Sequence, residues 1–288
     1  MPRIRDAVEQ RQVGDYTLTI YADEDCDNPR EMSEGLGKMI CFHGRHKLGD
    51  EHGYRNPCAF LTDVVQNSFS GIELHQKVLS GELPNFEIER NNGSAEWRLY
   101  FRETGKIEYR EWMVNRTFNQ PIEEIEDKFT DALLYEMPAA AMRDLIAERN
   151  VIQPLYLYDH SGLSISTESF TGRAVHAEWD SGMLGEIYCS YQDVEEAYGS
   201  LSEKTIERAA ECLKAEVDEY DHYLRGNCYG FVITDETDTE VDSCWGFIGR
   251  LDEVKGWMNE QVDSEYEFLF DNSFENEQGD EMEWGDDD

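Results

Sequence analysis

The stretch that most constrains the fold is a short apolar run, residues 155–158, which is stopped by the polar sequence Asp159-His160-Ser161-Gly162. A run of this length that ends in turn-forming residues is typical of a buried strand followed by a tight turn. A second strand is predicted over residues 185–191, and Trp179-Asp180-Ser181-Gly182 precedes it as a second polar turn. The two turns could together form one corner of the fold, composed of Asp159, His160, Ser161, Trp179, Asp180 and Ser181.

Other segments predict strands and helices on both sides of this corner. Residues 16–21 alternate and 38–43 are apolar, so both predict strands, whereas residues 1–13 are polar and predict an arm or a fraying helix. Asn56 and Pro57 are suited to begin a helix at residue 58. Apolar residues spaced by three and four predict a long helix over 203–225, followed by a hairpin (228–233 with 241–248) and a last helix over 251–262.

The composition changes between residues 66 and 150, where a strand meander is predicted over 86–118. We therefore predict an α+β protein with a bipartite mixed core domain and an inserted β-rich subdomain. The predicted organisation is an N-terminal arm (1–13), the core domain (14–65 and 151–270), the inserted subdomain (66–150) and an acidic tail (271–288).

The charge of the chain limits its partners. It has 63 acidic and 25 basic residues, a net charge of −38, with 40% hydrophobic residues that support a folded protein. Like charges repel, so we expect no direct nucleic-acid partner and no membrane partner. The charge suits a high-salt cytoplasm, a basic protein partner or a surface that imitates nucleic acid.

The cysteines predict a reducing compartment. There are seven, an odd number, with no CxxC pair, and the charged N-terminus does not resemble a signal peptide. Reduced thiols in a cytoplasm are the natural interpretation. Trp179 and Trp245 lie in aromatic-rich, glycine-flanked segments, and we expect both to pack in the core.

No catalytic motif is compelling. The sequence contains no GxSxG, no GxxxxGK[ST] and no GxGxxG motif. Asp159, His160 and Ser161 are adjacent in sequence, so their side chains should point in different directions, which does not suit a catalytic relay. A metal site could recruit His43, His46, Asp50 and His52 with Asp159 or His160, but no HExxH motif is present. We predict no catalytic residue, no metal and no cofactor. The alternative is a metal-dependent or hydrolytic enzyme that uses His43, His46, Asp159 and His160.

Several sequence blocks resemble a family of uncharacterised proteins found in tailed phages and mobile elements. The blocks are NPRE (28–31), LGKMICFH (36–43), LGDEH (48–52), PLYLYDHSG (154–162), WDSG (179–182), EVDEYDHYL (216–224) and DSCWGF (242–247). The blocks are joined more directly in that family, so the resemblance implies that residues 66–150 are an insertion. It also singles out a family corner composed of His43, Asp159, His160, Ser161, Trp179 and Asp180.

With its insertion, the chain resembles the phage anti-defence proteins that inhibit the Gabija system. This resemblance implies a homo-oligomer in the cytoplasm of the infected bacterial host. It would wrap around a nuclease–helicase complex and block DNA recognition and cleavage, so that the phage evades host immunity by protein–protein interaction and without catalysis. The candidate contact residues are the insertion's aromatic residues Trp97, Tyr100, Tyr109 and Trp112, which could equally form the insertion's own small core.

Overall fold

The computed structural model describes residues 7–32, 35–91, 96–102, 109–115 and 122–270, so the predicted acidic tail lies outside the described residues. The protein is a mixed α+β protein with 40% helix and 29% strand in several sheets, and the predicted fold class is confirmed. Within the described ranges, no helix is long and apolar enough to cross a membrane.

The described residues contain eleven strands and nine helices. The strands are β1 (Ala7–Val13), β2 (Tyr16–Ala22), β3 (Lys38–Cys41), β4 (Phe86–Asn91), β5 (Glu96–Arg102), β6 (Tyr109–Asn115), β7 (Asn150–Asp159), β8 (Leu163–Ser166), β9 (Ser181–Ser190), β10 (Cys228–Thr234) and β11 (Glu240–Ile248). The helices are α1 (Pro29–Met32), α2 (Pro57–Ser68), α3 (Gly71–Ser80), α4 (Ile122–Glu136), α5 (Ala139–Ala147), α6 (Ala177–Asp180), α7 (Tyr191–Tyr198), α8 (Glu203–Leu224) and α9 (Leu251–Gln261).

The strands form three sheets. Their orders are β1-β2-β10-β11, β3-β9-β7-β8 and β4-β5-β6. The first sheet is antiparallel throughout, with Tyr21 of β2 opposite Gly230 of β10. In the second sheet, Cys41 at the end of β3 lies opposite Gly185 of β9.

The chain divides into two compact units. The first contains the described residues within 1–35, 155–184 and 214–288, and the second contains those within 36–154 and 185–213. The division crosses β7, β9 and α8. Each unit has a core of its own.

The core of the first unit lies between the β1-β2-β10-β11 sheet and helix α9. Leu18 and Ile20 of β2 and Phe231 of β10 are buried, and they form one cluster with Val254 and Met258 of α9. Complete burial of a large apolar side chain stabilises a fold by about 1.5–3 kcal/mol, so this cluster holds the sheet and α9 together.

The core of the second unit is formed mainly by helices α2 to α5 and by the β4-β5-β6 sheet. Helix α2 begins as predicted: the Asn56 side chain accepts a hydrogen bond from the backbone N–H of Ala59, and Pro57 occupies the first position. The helix buries Phe60 and Leu61 against the other helices of the unit. Burial of this apolar face, more than helix propensity, stabilises a helix of 12 residues.

The N-terminal segment corrects one prediction. Residues 7–13 form strand β1, an edge strand paired antiparallel with β2, rather than a fraying helix. The segment is polar because none of its seven residues is fully buried. Backbone pairing with β2, which its side chains do not signal, makes it a strand.

Candidate functional site

The predicted corner contains a direct hydrogen bond between its two polar segments. His160 follows β7 and Asp180 ends the four-residue helix α6, and His160 Nδ1 lies 2.8 Å from Asp180 Oδ2. The two side chains keep 45% and 31% of their surface exposed. Residues 179–182 were predicted to form a turn. Instead, Trp179 and Asp180 belong to the short helix α6, and Ser181 and Gly182 begin β9.

Aromatic rings surround this His–Asp pair. The His160 ring stacks on Tyr158 with centroids 5.9 Å apart, and it lies 6.1 Å from the His176 ring. Tyr158 donates its hydroxyl to the carbonyl of Val175 at 2.8 Å, and this bond holds the segment before α6 against β7. The pair is therefore positioned by neighbouring rings and by the backbone, and it remains open to solvent.

Trp179 is not a core residue, and the expectation of core packing is wrong for it. Helix α6 has only four residues and buries Ala177 alone, so Trp179 keeps 86% of its surface exposed. Val175 and Met183 beside it in sequence are also exposed. Ser161 is exposed as well, and Asp159 is half-buried.

His43 belongs to the second unit, whereas the other predicted corner residues belong to the first. Its Nδ1 atom accepts a hydrogen bond from the backbone N–H of His46 at 3.2 Å, and the two rings stack with centroids 5.1 Å apart. His52 approaches the carbonyl of Cys41 at 2.9 Å. In the described part of the chain, no three His, Cys, Asp or Glu side chains are grouped to hold a metal ion.

The aromatic candidates of the β4-β5-β6 sheet fall on two different faces. By register, Trp112 lies opposite Leu99 and Trp97 opposite Val114, so these positions share the face of the buried residues Leu99 and Phe101. Tyr109 lies opposite Arg102 on the other face, which it shares with the half-buried Tyr100. The side chains of Trp97, Tyr109 and Trp112 lie outside the described part of the structure.

The first unit also contains a pocket of about 600 Å³ that the sequence did not predict. Four of its lining residues are acidic: Asp23, Asp25, Asp27 and Glu219. Among the described residues, no basic residue lines it. Its apolar wall consists of Pro29, Met32, Trp245 and Ile248. Its volume lies within the range of about 300–1,000 Å³ that is usual for ligand sites.

Hydrogen bonds fix the acidic side of this pocket. The backbone N–H of Asp23 donates to the carbonyl of Cys228 at 2.8 Å, so the loop after β2 stays on β10. The Asp23 carboxylate then accepts from the backbone N–H groups of Asp25 and Gly246, each at 3.2 Å. These bonds hold the acidic loop beside β11.

Helix α1 closes one side of the pocket. Asn28 caps it by accepting from the backbone N–H of Arg30 at 3.0 Å. The Arg30 guanidinium binds Glu216 of α8 at 2.7 Å, and both side chains are largely buried. This ion pair holds α1 beside α8, one turn from Glu219.

Trp245 forms the aromatic wall, because β11 is irregular at this point. The β10–β11 register shifts between Tyr229 and Phe231, and Gly246 has a φ of +86°, a value that favours glycine. Gly230 lies beneath the indole, where a Cβ atom would approach the Trp245 ring to 2.5 Å or closer. Trp245 keeps 38% of its surface exposed, so the expectation of core packing is wrong for it too.

Two thiols meet beside the acidic loop. Burial raises the pKa of the Cys228 thiol to about 12, and its hydrogen bond with Cys26 and the charge of Asp23 act in the same direction. Burial also raises the pKa of the Cys26 thiol, with further contributions from the nearby carboxylates, including Asp27 and Glu219. Both thiols therefore stay protonated at neutral pH.

The sequence carried a partial signal for this pocket. Residues 23–27, Asp-Glu-Asp-Cys-Asp, directly follow a predicted strand and precede an Asn-Pro turn. That pattern predicts an acidic loop, but it does not reveal that Glu219 and Trp245, about 190 and 220 residues further on, complete the site.

The chain was compared with protein-family models, with curated proteins and with solved structures, and none of the three comparisons gave a match.

Proposed function

We propose that this protein is a phage-encoded anti-defence protein that binds a bacterial nuclease–helicase complex of the Gabija type and blocks its DNA recognition and cleavage without catalysis. The observation that carries the proposal is the acidic pocket with its indole wall. Carboxylates beside an exposed aromatic ring suit the basic surface with which a nuclease holds DNA. The blocks that resemble tailed-phage proteins support the same function.

Charge and apolar contacts have different parts in this mechanism. A net charge of −38 attracts a basic surface over distance and accelerates association, an effect that salt screens. The exposed side chains of Val175, Trp179 and Met183 would then be buried against the partner, and this contribution is insensitive to salt. Several copies, arranged as a homo-oligomer, would cover the DNA path of a large complex.

The test is capture of a purified Gabija-type nuclease–helicase complex by the tagged protein at low and at high salt, together with a DNA-cleavage assay. We expect stoichiometric capture, and we expect cleavage to fall as the protein is added up to one equivalent per binding site. Absence of capture at low salt, or uninhibited cleavage with the complex saturated, would contradict the proposal.

A matched pair of variants locates the contact. Trp179→Ala removes the most exposed indole described, and Trp257→Ala removes another exposed indole from the same unit; the two side chains keep 86% and 47% of their surface exposed. We expect only the first to weaken capture. Equal capture by Trp179→Ala and the unmodified protein would exclude the exposed segment around α6 from the interface.

A hydrolytic enzyme remains the second candidate, because His160 and Asp180 form the hydrogen bond that orients a general base in many hydrolases. The neighbouring hydroxyls of Tyr158 and Ser181 both donate to backbone carbonyls. Ester and phosphoester substrates should be assayed with the protein and with His160→Ala. Turnover that disappears in this variant, while its fold is unchanged, would replace the binding function.

A further inference from the structure

Strand β1 forms one edge of the four-stranded sheet in the first unit. Among the described residues it pairs only with β2, and it stands first in the order β1-β2-β10-β11. A two-residue turn, Gly14-Asp15, joins it to β2, and Gly14 has a φ of +61°. An edge strand presents backbone groups to which another chain can pair, so proteins usually protect such edges with charge or irregularity.

The register determines which backbone groups of β1 face outward. The two residues that flank a two-residue turn form a hydrogen-bonded pair, and from there hydrogen-bonded and non-hydrogen-bonded pairs alternate along the ladder. Gln12 opposite Thr17 and Gln10 opposite Thr19 are therefore non-hydrogen-bonded pairs. The backbone N–H and C=O groups of Gln10 and Gln12 consequently point away from β2, towards the open side of the strand.

The sequence of β1, Ala-Val-Glu-Gln-Arg-Gln-Val, is complementary to itself in the antiparallel direction. If a second copy is placed with Gln10 opposite Gln10, Glu9 of each copy lies opposite Arg11 of the other. The outward N–H and C=O groups of Gln10 then form a reciprocal pair of hydrogen bonds. The Glu9–Arg11 positions become non-hydrogen-bonded pairs, in which the side chains are closest and opposite charges attract.

We infer that β1 is a dimerisation surface, which pairs antiparallel with β1 of a second copy of this chain about a two-fold axis at Gln10. The two four-stranded sheets thereby become one sheet of eight strands. The inference concerns this chain alone and goes beyond the proposed function, on which it does not rest.

The opposite edge of the same sheet does not suit self-pairing. Strand β11 carries Glu240 and Asp242 but no basic residue, and its register with β10 shifts twice. Strand β1 carries one acidic and one basic residue, and its register with β2 is regular over residues 9–13. In a chain with a net charge of −38, β1 is therefore a strip without net charge, on which two copies meet without local repulsion.

Contacts within one copy hold the two charged side chains in place. Lys255 of α9 binds Glu9, and the Arg11 guanidinium donates to the carbonyl of Leu269 at 3.2 Å. The Glu9 side chain still keeps 41% of its surface exposed, so its carboxylate can accept from a second cation. Side chains that are already ordered lose less entropy when a second copy pairs with them.

The first experiment measures the mass and the amide exchange of the unmodified full chain over a range of concentrations. Two paired seven-residue strands form a small interface beside the standard 1,200–2,000 Å² or so, and the dimer should dissociate on dilution. In sedimentation equilibrium, the mass should rise with concentration from 33.4 kDa towards twice that value. In hydrogen exchange, the Gln10 and Gln12 amides should be protected only in the concentrated sample. A single chain at every concentration, or a dimer in which both amides exchange rapidly, would overturn the inference.

A charge exchange tests the register. Glu9→Lys and Arg11→Glu each place like charges opposite one another, so each homodimer should be at least about tenfold weaker than that of the unmodified protein. When the two variants are mixed, both cross-strand pairs again have opposite charges, and a heterodimer should form. Glu236→Lys, in the exposed turn between β10 and β11, changes the net charge as Glu9→Lys does and should leave the dimer unchanged. Circular dichroism verifies that the variants are folded. Undiminished homodimers, or folded variants that do not associate when mixed, would contradict the pairing.

This inference and the proposed function can fail separately. A dimer with protected β1 amides that captures no nuclease complex leaves the β1 assignment standing and removes the proposed function. Capture of the complex by a protein that remains a single chain at every concentration does the reverse.

Discussion

Replacing Gly185 with alanine should open the β3–β9 pair. Gly185 lies opposite Cys41 at the end of this antiparallel pair. A Cβ atom there would collide with the carbonyl oxygen of Ile40 and would lie 2.9 Å from its carbonyl carbon and 3.1 Å from the Cα atom of Cys41. All three are backbone atoms, so no side-chain rotation relieves the overlap and the strands must separate.

The expected cost follows from what the separation breaks. Forced overpacking typically costs about 1–3 kcal/mol, and a lost backbone hydrogen bond adds about 0.5–1.5 kcal/mol. Alanine lowers the conformational entropy of the unfolded chain relative to glycine, and this offsets about 0.4–1 kcal/mol of the destabilisation. We therefore expect Gly185→Ala to lower the free energy of unfolding by about 0.5–4 kcal/mol, with a central value of about 2 kcal/mol.

Gly182→Ala is the matched control, because Gly182 lies in the same strand and a Cβ atom there meets nothing within 4 Å. It should leave stability unchanged or raise it by up to about 1 kcal/mol. Urea unfolding followed by circular dichroism measures both variants, and hydrogen exchange of the β3 amides locates the effect. Equal unfolding midpoints for the two variants would refute the reasoning.

Three further predictions follow from the same contacts. Gly230→Ala should displace the indole above it and lower the free energy of unfolding by about 1–3 kcal/mol in urea unfolding, whereas an unchanged unfolding midpoint would show that the indole moves at no cost. Hydrogen bonds to Arg149 and Ser70 lower the pKa of Glu73 to about 2. The stability that this carboxylate contributes is therefore present above its ordinary pKa of 4.5 and is lost as the pH falls towards 2. In an acid titration, the difference in stability between the unmodified protein and Glu73→Gln should shrink over that pH range. Because His160 and Asp180 are both partly exposed, a double-mutant cycle should give a coupling below about 1 kcal/mol, and a much larger value would mark a constrained, functional pair.

Local chemistry in the sequence predicted the elements whose boundaries depend on it. Asn56 and Pro57 predicted the start of α2, and they are its N-cap and its first residue. The polar residues after one strand and before another suggested that the two segments could form one corner, and a hydrogen bond joins His160 of the first to Asp180 of the second. In both cases the information lies within a few residues of the feature.

Features that depend on distant partners could not be predicted in this way. Strand β1 exists because β2 offers it backbone hydrogen bonds, and its own side chains give no apolar alternation. The exposure of Trp179 follows from the shortness of α6, and the indole of Trp245 is placed by a β-bulge over Gly230. Tryptophan is on average a highly buried residue type, so the exposure of Trp179 and Trp245 becomes apparent only from the tertiary structure.

The net charge overstates how much acidic surface a partner can contact, because some of the carboxylates are buried or already bound within the protein. Glu186 is 1% exposed and binds Arg143 at 2.7 Å, although burial still raises its pKa. Asp221 accepts from the backbone N–H of Ile165 and from the Ser164 hydroxyl. Such carboxylates stabilise the fold and offer little to a partner.

Under the proposed function, recognition depends on the carboxylates that are exposed and grouped, such as Asp25, Asp27 and Glu219 of the acidic pocket. Diffuse charge accelerates association but is screened within about 10 Å at 0.1 M salt. An apolar contact such as one made by the exposed Trp179 indole is not screened by salt. If the proposed function is correct, the rate of association with the nuclease complex should fall as salt rises. The rate of dissociation, governed by the apolar contact of Trp179, should change little.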